Sequence, residues 1–261
     1  MTYAFLMTRA CLLVIVAVVA ASPLTAIGQQ APAGQTQDSS PRSIVEKADE
    51  IRFPREGFQV DISIATFREG QRTDERKYRV LSRGNENTIV LLTEPASERG
   101  QIMLMKGSDL WVFLPSVSQP VRLSVSQRLT GQVANGDLAR ANFTGDYIPK
   151  LLRSETLDGE NHHVLELTAV DRGVTYNRVV YWVKQSNGRP HKAEFYSLSN
   201  RLLKTCRYEK FQTLAGKVRP TRLVMEDALR QGEQSVLDYS DMKLRDLPDK
   251  MFTKDYLKRL E

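Results

Sequence analysis

Few side chains in this chain of 261 residues could catalyse a reaction or hold a metal ion. The histidines are His162, His163 and His191, and the cysteines are Cys11 and Cys206. Adjacent residues of a β-strand point to opposite faces, so His162 and His163 cannot bind one metal ion together. We interpret the two as a pair at the edge of a turn, and we predict neither a metal site nor a cofactor.

The chain also lacks the short motifs of common enzymes. It contains no G-x-S-x-G elbow, no G-x-G-x-x-G sequence, no phosphate-binding loop and no His-Glu-x-x-His pattern. Cys206 lies in the strand-like run LLKTCRYEKF, which favours a buried structural thiol over a nucleophile. We therefore predict no catalytic residue and no enzymatic activity, with an envelope enzyme acting on lipid or cell-wall polymer as the alternative.

Two apolar runs, residues 102–105 and 110–114, instead indicate a binding function. Both faces of these runs are hydrophobic, so the strands are covered on each side by core, helix or ligand. Methionine and aromatic side chains suit an irregular apolar ligand. An earlier strand alternates apolar with polar residues and has one apolar face. The predicted lipid-binding residues of these faces are Phe58, Val60, Ile62, Ile64, Met103, Met105, Trp111 and Phe113.

A polar stretch without a clear period, residues 116–147, follows these strands. Its glycines at positions 131, 136 and 145 loosen the backbone, and we predict a mobile gate and docking element rather than core. Its basic residues form either a solvated rim or a docking surface for an acidic partner or lipid headgroups. The predicted gate and docking residues, with the acids pairing with the arginines, are Arg122, Arg128, Asp137, Asp146 and Tyr147.

Turn signals at regular intervals predict the fold. Asp158-Gly159 and Asn187-Gly188 separate apolar runs, which is typical of antiparallel hairpins, and we count about 10–11 strands. Ser40 and Pro41 predict the start of an amphipathic helix, and Thr253 caps a second helix over residues 254–260. Without alternation of strands and helices, a large curved sheet or incomplete barrel fits better than a sandwich.

The N-terminal region predicts export. Arg9 precedes an apolar run over residues 10–21 that is too short for a confident membrane span, and small residues follow up to Gly28. This order is typical of a signal peptide cleaved near Gly28, with an uncleaved anchor as the alternative. Residues 29–38 form a linker and residues 39–261 the main domain. Cleavage lowers the formal net charge from +6 to +5, and the scattered charge of an exported protein argues against nucleic acid.

Several runs of the main domain resemble the outer-membrane lipoprotein-sorting proteins related to LolA. They are GQIMLMKGSDLWVFLPS, PVRLSVSQRLTGQVANGD, FTGDY, TYNRVVYWV, PHKAEFYSLSNRLLKT and LPDKMFTKDYLKRL. The resemblance covers about residues 40–260. It implies a half-open antiparallel β-barrel, as in LolA and LolB, with helices covering its apolar concave side.

The resemblance also implies a function. Such a protein is a monomeric periplasmic carrier of lipid or lipoprotein acyl chains that makes transient contact with membranes and works with an RND-type exporter of the inner membrane. The stretch over residues 116–147 is longer and more basic than the simple LolA pattern, which leaves open whether the cargo is a lipoprotein or another lipid. A non-catalytic envelope sensor is a third interpretation, because it needs the basic rim but no cavity.

Overall fold

The computed structural model describes residues 40–84, 86–140 and 142–257, and it is dominated by one antiparallel sheet. The expected signal peptide and most of the linker lie outside the described residues. Within those ranges the chain forms fifteen strands, thirteen of them in one sheet with the order β6-β5-β4-β3-β2-β1-β15-β14-β13-β12-β11-β10-β9. The strands are β1 Phe58–Arg68, β2 Gln71–Arg83, β3 Asn87–Glu94, β4 Ile102–Lys106, β5 Asp109–Phe113, β6 Val121–Leu123, β7 Arg128–Thr130, β8 Val133–Ala134, β9 Tyr147–Leu157, β10 Glu160–Ala169, β11 Arg178–Lys184, β12 Pro190–Tyr196, β13 Leu202–Leu214, β14 Lys217–Asp227 and β15 Glu233–Leu244.

The sheet is a meander that does not close into a barrel. Within the runs β1 to β6 and β9 to β15, each strand pairs with the next one along the chain. Strand β1 also pairs with the last strand, β15, which leaves β6 and β9 as the two edge strands of the sheet. The half-open β-barrel predicted from the sequence is confirmed. Four strands were not predicted: β6, β7 and β8 are very short, and β9 is an edge strand whose mostly exposed side chains show no regular alternation.

The α-helices of the described chain are α1 Pro41–Arg52, α2 Asn135–Ala139 and α3 Lys254–Leu257. At the start of α1 the Ser40 Oγ accepts a hydrogen bond from Ser43 N at 3.2 Å, as the sequence predicts. Thr253 Oγ1 likewise accepts from Tyr256 N at 3.3 Å at α3, and residues 258–260 of the predicted second helix lie outside the described residues. None of the described helices has the length and apolar character needed to cross a bilayer.

The two faces of the sheet are covered by different parts of the chain. We call the face that carries α1 the inner face. Its apolar side chains, from strands at both ends of the strand order, join those of α1 in one continuous core, because the sheet curls around them. On the outer face the C-terminal residues Leu247, Phe252 and Leu257 pack over β3, β4 and β5. The prediction that strands β4 and β5 are covered on both sides is therefore confirmed.

Candidate functional site

The candidate site is the inner face of the sheet beneath the β5–β9 segment, which we define as residues 114–146. Val125, Val133, Leu138 and Phe143 of this segment are buried in the main core with the side chains of the sheet. The segment thus lies within the curl of the sheet as a packed cover. The prediction that it belongs outside the core is wrong, because these four apolar residues pack against the sheet, although Val117 and Val121 of the segment are exposed.

A cavity of about 400 Å³ remains between the β5–β9 segment and the inner face of β2 to β5, and we call it the edge cavity. Its apolar lining is Tyr78, Val90, Leu92, Met103, Val112, Leu114, Leu123 and Leu129. Its polar lining is Arg76, Glu98, Gln101, Gln127, Arg128, Thr130 and Asn135. The cavity therefore combines an apolar wall with charged and amide groups, as an amphiphilic ligand requires.

Arg76 and Glu98 form the charged part of this lining. Arg76 Nη2 donates to Glu98 Oε1 at 2.9 Å, and Arg76 Nε donates to Asp74 Oδ2 at 2.9 Å. The hydrogen bonds from Arg76 hold the pKa of Glu98 below its ordinary value. Thr130 Oγ1 of the β5–β9 segment also donates to Asp74 Oδ2, at 3.1 Å. These contacts join the cover to strand β2 beside the cavity.

The predicted lipid-binding residues occupy four different places, three of them on the inner face. Met103 lines the edge cavity, and Met105 and Ile64 are buried in the core of the inner face. Phe58, Val60 and Ile62 line a second cavity of only about 20 Å³, which α2 and Tyr239 also border. That volume holds about one water molecule, so helix and segment fill the space above strand β1.

Trp111 and Phe113 lie on the outer face, and their predicted grouping with Met103 and Met105 is wrong. The register pairs Leu104 with Trp111 and Ile102 with Phe113, and directly opposed residues of an antiparallel pair share a face. Both aromatic residues pack with the C-terminal segment instead, where Lys254 Nζ lies 4.3 Å from the Trp111 ring centroid.

Helix α1 brings an ion pair into the core that the sequence pattern did not predict. Asp49 Oδ1 lies 3.4 Å from Arg52 Nη1, and both side chains are buried. Asp49 Oδ2 accepts from Phe143 N at 2.9 Å and from Thr144 N at 2.7 Å, which fixes the end of the β5–β9 segment. Burial raises the pKa of Asp49, although Arg52 and the hydrogen bonds from Thr144 oppose the shift.

A second buried cluster holds the middle of the segment. Lys204 Nζ of strand β13 donates to Asp137 Oδ2 at 2.7 Å and to Gln132 O at 2.5 Å. The hydroxyl of Tyr176 donates to the same Asp137 oxygen at 2.8 Å, and burial raises the pKa of that tyrosine well above its ordinary value. The side chains of Lys204 and Asp137 are 5% and 8% exposed, so water hardly screens their attraction.

The acids therefore do not pair with the arginines that the sequence suggested. Asp137 pairs with Lys204, and Asp146 is buried against Arg140, whose Nε donates to it at 2.5 Å. Arg122 is exposed and pairs with Asp109, whereas Arg128 lines the edge cavity. Tyr147 is buried, and its hydroxyl donates to the backbone oxygen of Tyr176 at 3.2 Å.

Two glycines of the segment allow close packing rather than loose backbone. A Cβ at Gly131, whose φ is +49°, would collide with Thr66 Oγ1 and Ser235 Oγ. A Cβ at Gly136 would collide with Thr175 Oγ1. The expectation that these two glycines loosen the segment is wrong, because each lets the cover approach the rest of the fold. Gly145 has a φ of +91° and no neighbour within 4 Å of such a Cβ.

One sequence signal could have found Lys204. Residues 204, 206 and 208 alternate to one face of β13, and Cys206 and Tyr208 are apolar enough to predict that this face is buried. A lysine on a buried face needs an acidic partner, although the sequence around Lys204 does not show which acidic residue that is. The histidines show no comparable role: among the described residues, no group of three or more histidine, cysteine or acidic side chains could hold a metal ion.

Comparison with known proteins finds a matching family model and similar crystal structures. A family model with the description "-like: Uncharacterized protein" matches residues 84–259. The crystal structure of a LolA superfamily protein from Nitrosomonas europaea is 69% identical, with a TM-score of 0.80, and the match covers 83% of this chain and 98% of that one. No curated protein matches the chain.

Two more distant structures share the fold. A DUF1329 family protein from Desulfovibrio piger is 21% identical with a TM-score of 0.72, and the match covers 83% of this chain and 97% of that one. An outer membrane lipoprotein-sorting protein domain from Vibrio parahaemolyticus is 22% identical with a TM-score of 0.69, covering 84% and 98%. At such identities the likeness concerns the fold alone.

Proposed function

Because this chain belongs to the LolA superfamily, we propose that it is a periplasmic carrier of lipid or lipoprotein acyl chains. In this proposal the edge cavity takes up an acyl chain, and the carrier moves it from the inner membrane toward the outer membrane. The N-terminal sequence supports the location, since it is typical of a signal peptide.

The observation that carries the proposal is the edge cavity. Its volume of about 400 Å³ falls within the usual range for small-molecule sites, and eight of its fifteen lining residues are apolar or aromatic. Burial of an acyl chain gains about 0.8 kcal/mol per methylene group, so a chain of about sixteen carbons would gain on the order of 10 kcal/mol before ordering costs. Such a carrier needs no covalent chemistry.

Native mass spectrometry of the protein purified from its own cells tests the proposal. We expect a bound species with the mass of a lipid, together with displacement of an acyl fluorophore when fatty acid is added. A clean ligand-free mass, with no uptake of acyl fluorophores, would contradict the proposal.

A pair of variants locates the site. Leu123 is a half-buried residue that lines the edge cavity, so Leu123→Glu should lower acyl binding at least tenfold, because it buries a carboxylate against the ligand. Leu244→Glu changes a 53% exposed residue of β15 that does not line the cavity, and it should bind normally. Equal binding by the two folded variants would argue against the edge cavity.

The rival proposal of an enzyme has less support. A cavity lined only by apolar side chains would exclude an enzyme, but this cavity also has polar and charged lining residues. Its one acidic group, however, is already engaged, since Glu98 accepts two hydrogen bonds from Arg76. A group already paired in this way makes a poor general acid or base, which is why we favour binding over catalysis.

We propose an RND-type exporter of the inner membrane as the partner that exchanges cargo with the carrier. The support for this step is the resemblance of the sequence to the LolA-like proteins. Crosslinking in intact cells, followed by mass spectrometry, should recover such an exporter, and its repeated absence from the crosslinked species would count against this partner.

A further inference from the structure

Several loops at one end of the large sheet expose aliphatic side chains, which the described hairpin tips at the other end lack. The connections β10–β11, β12–β13 and β14–β15 all leave the sheet at the same end, because the strands form an antiparallel meander. Each carries one exposed aliphatic side chain: Val170 is 49% exposed, Leu198 69% and Leu229 58%. The connection between β5 and β6, at this same end, exposes Val117 at 42%.

The hairpin tips at the opposite end hold only small or polar residues in the described chain. They include Asp158-Gly159, Asn187-Gly188 and Ala215-Gly216, which are ordinary turn residues. Single exposed aliphatic residues are normal on protein surfaces, but leucine and valine at neighbouring tips on one end are not required by turn geometry.

Arginine accompanies each of the three neighbouring tips. Arg172, Arg201 and Arg230 are exposed and lie one to three residues after Val170, Leu198 and Leu229.

The tips are held in place by their own hydrogen bonds. Asp171 Oδ1 accepts from Gly173 N at 2.6 Å, Ser197 Oγ accepts from Arg201 N at 3.2 Å, and Asp227 Oδ1 accepts from Leu229 N at 2.7 Å. Each aliphatic residue is therefore presented on an ordered turn near an arginine. Arg230 Nη1 also lies 3.6 Å from Glu233 Oε2. An anionic bilayer is bound by aliphatic groups that insert into its interface together with cations that contact its phosphate groups.

The edge cavity is lined at this same end of the sheet. Glu98 and Gln101 belong to the connection between β3 and β4, and Leu114 directly follows β5. We propose that this end of the molecule docks on anionic phospholipid bilayers through the tips at Val170, Leu198 and Leu229. The inference rests on the proposed carrier function, for which it names the surface that meets the membrane.

Vesicle flotation with the full chain, expressed with its own N-terminus, tests the docking surface. Wild-type protein should float with vesicles of phosphatidylcholine and phosphatidylglycerol, and less with phosphatidylcholine alone. The double variant Leu198→Ser, Leu229→Ser should bind the anionic vesicles at least about tenfold more weakly. The control Val218→Ser, Leu244→Ser alters residues that are 41% and 53% exposed within strands at the other end, and it should bind like wild type.

The charge arm uses Arg172→Gln and Arg201→Gln, each expected to weaken binding to anionic vesicles about fivefold. Lys217→Gln, an exposed change at the other end, is its control. All variants share one N-terminus, so that region cannot explain differences among them. Wild-type protein that ignores anionic vesicles would overturn the proposal and point to a protein partner, as would tip variants that bind as tightly as their controls.

Acyl-fluorophore uptake in solution, measured on the same samples, separates this proposal from the carrier function. The tip residues do not line the edge cavity, so the tip variants should take up the fluorophore normally. Normal uptake with lost flotation supports docking by the tips. Flotation without uptake would contradict the carrier proposal while supporting the docking surface. Uptake by wild-type protein that does not float would support the carrier proposal and contradict the docking surface.

Discussion

At the scale of single residues, several charged side chains are buried in or beneath the β5–β9 segment. Asp49, Arg52, Asp146 and Lys204 are all buried, and each has a partner of opposite charge. Such pairs add little to net stability compared with apolar residues of the same size, but they penalise arrangements in which one partner is left alone. They therefore specify where the β5–β9 segment sits.

Cys206 should be chemically silent in the folded protein. Burial raises the pKa of its thiol to about 12, so almost no thiolate exists at neutral pH. We expect no reaction with a maleimide under native conditions and rapid reaction in denaturant. Mass spectrometry of the denatured, labelled protein also counts the thiols: one adduct means that Cys11 has been removed with the signal peptide, and two mean that it has been retained. Labelling of Cys206 in the native state would contradict its burial.

His191 should make stability depend on pH. Burial lowers its pKa, and His162, with ring centroids 4.6 Å apart, acts in the same direction. A histidine with a lowered pKa favours the neutral form in the fold. Stability is thus fully present above the unfolded pKa of about 6.5 and is lost as pH falls below it.

Urea denaturation at several pH values between 7.5 and 5 measures this effect. His191→Gln should reduce the fall in unfolding free energy over that range relative to wild type. An unchanged pH dependence in the variant would show that His191 does not contribute.

At the scale of elements, the β5–β9 segment is fixed to the sheet by the ion pair between Asp137 and Lys204. Removing one partner of a buried pair leaves the other uncompensated, so Lys204→Met should destabilise the protein by about 3–5 kcal/mol. Arg207→Met is a matched control on the same strand, because Arg207 pairs with Glu226 at 2.8 Å on the surface. That control should cost at most about 1 kcal/mol.

Denaturant titration measures both variants, and the double variant Asp137→Leu, Lys204→Met should recover part of the loss. Similar small losses for Lys204→Met and Arg207→Met would mean that the buried pair does not hold the cover.

At the scale of the whole molecule, the β5–β9 segment fills part of the space inside the curled sheet, and the edge cavity is a part that remains open. If the segment is a gate, ligand should change its protection from hydrogen exchange. We predict slower exchange across residues 125–146 after loading with lipid. Equal and strong protection in both states would mean that the segment is a fixed part of the wall.

The sequence alone predicted eleven of the fifteen strands of the described chain and their repeating order. Alternation of apolar residues is local, and so are the caps of Ser40 and Thr253 and turns such as Asn187-Gly188. Local signals of this kind are enough to specify hairpins and a meander, which is why the half-open barrel could be predicted. The same local rule predicted that strands β4 and β5 are covered on both faces.

Only the tertiary structure decided which residues share a face across strands and which charges meet. The turn at Gly107-Ser108 pairs Lys106 with Asp109, so opposed residues have one odd and one even number. This parity puts Trp111 opposite Leu104 and away from Met103, and a shift of one residue would have reversed it. Asp137 and Lys204 are 67 positions apart, and their pairing depends on how the sheet curls around the cover. No local pattern encodes this pairing, because the curl of the sheet accumulates from the twist between its thirteen strands.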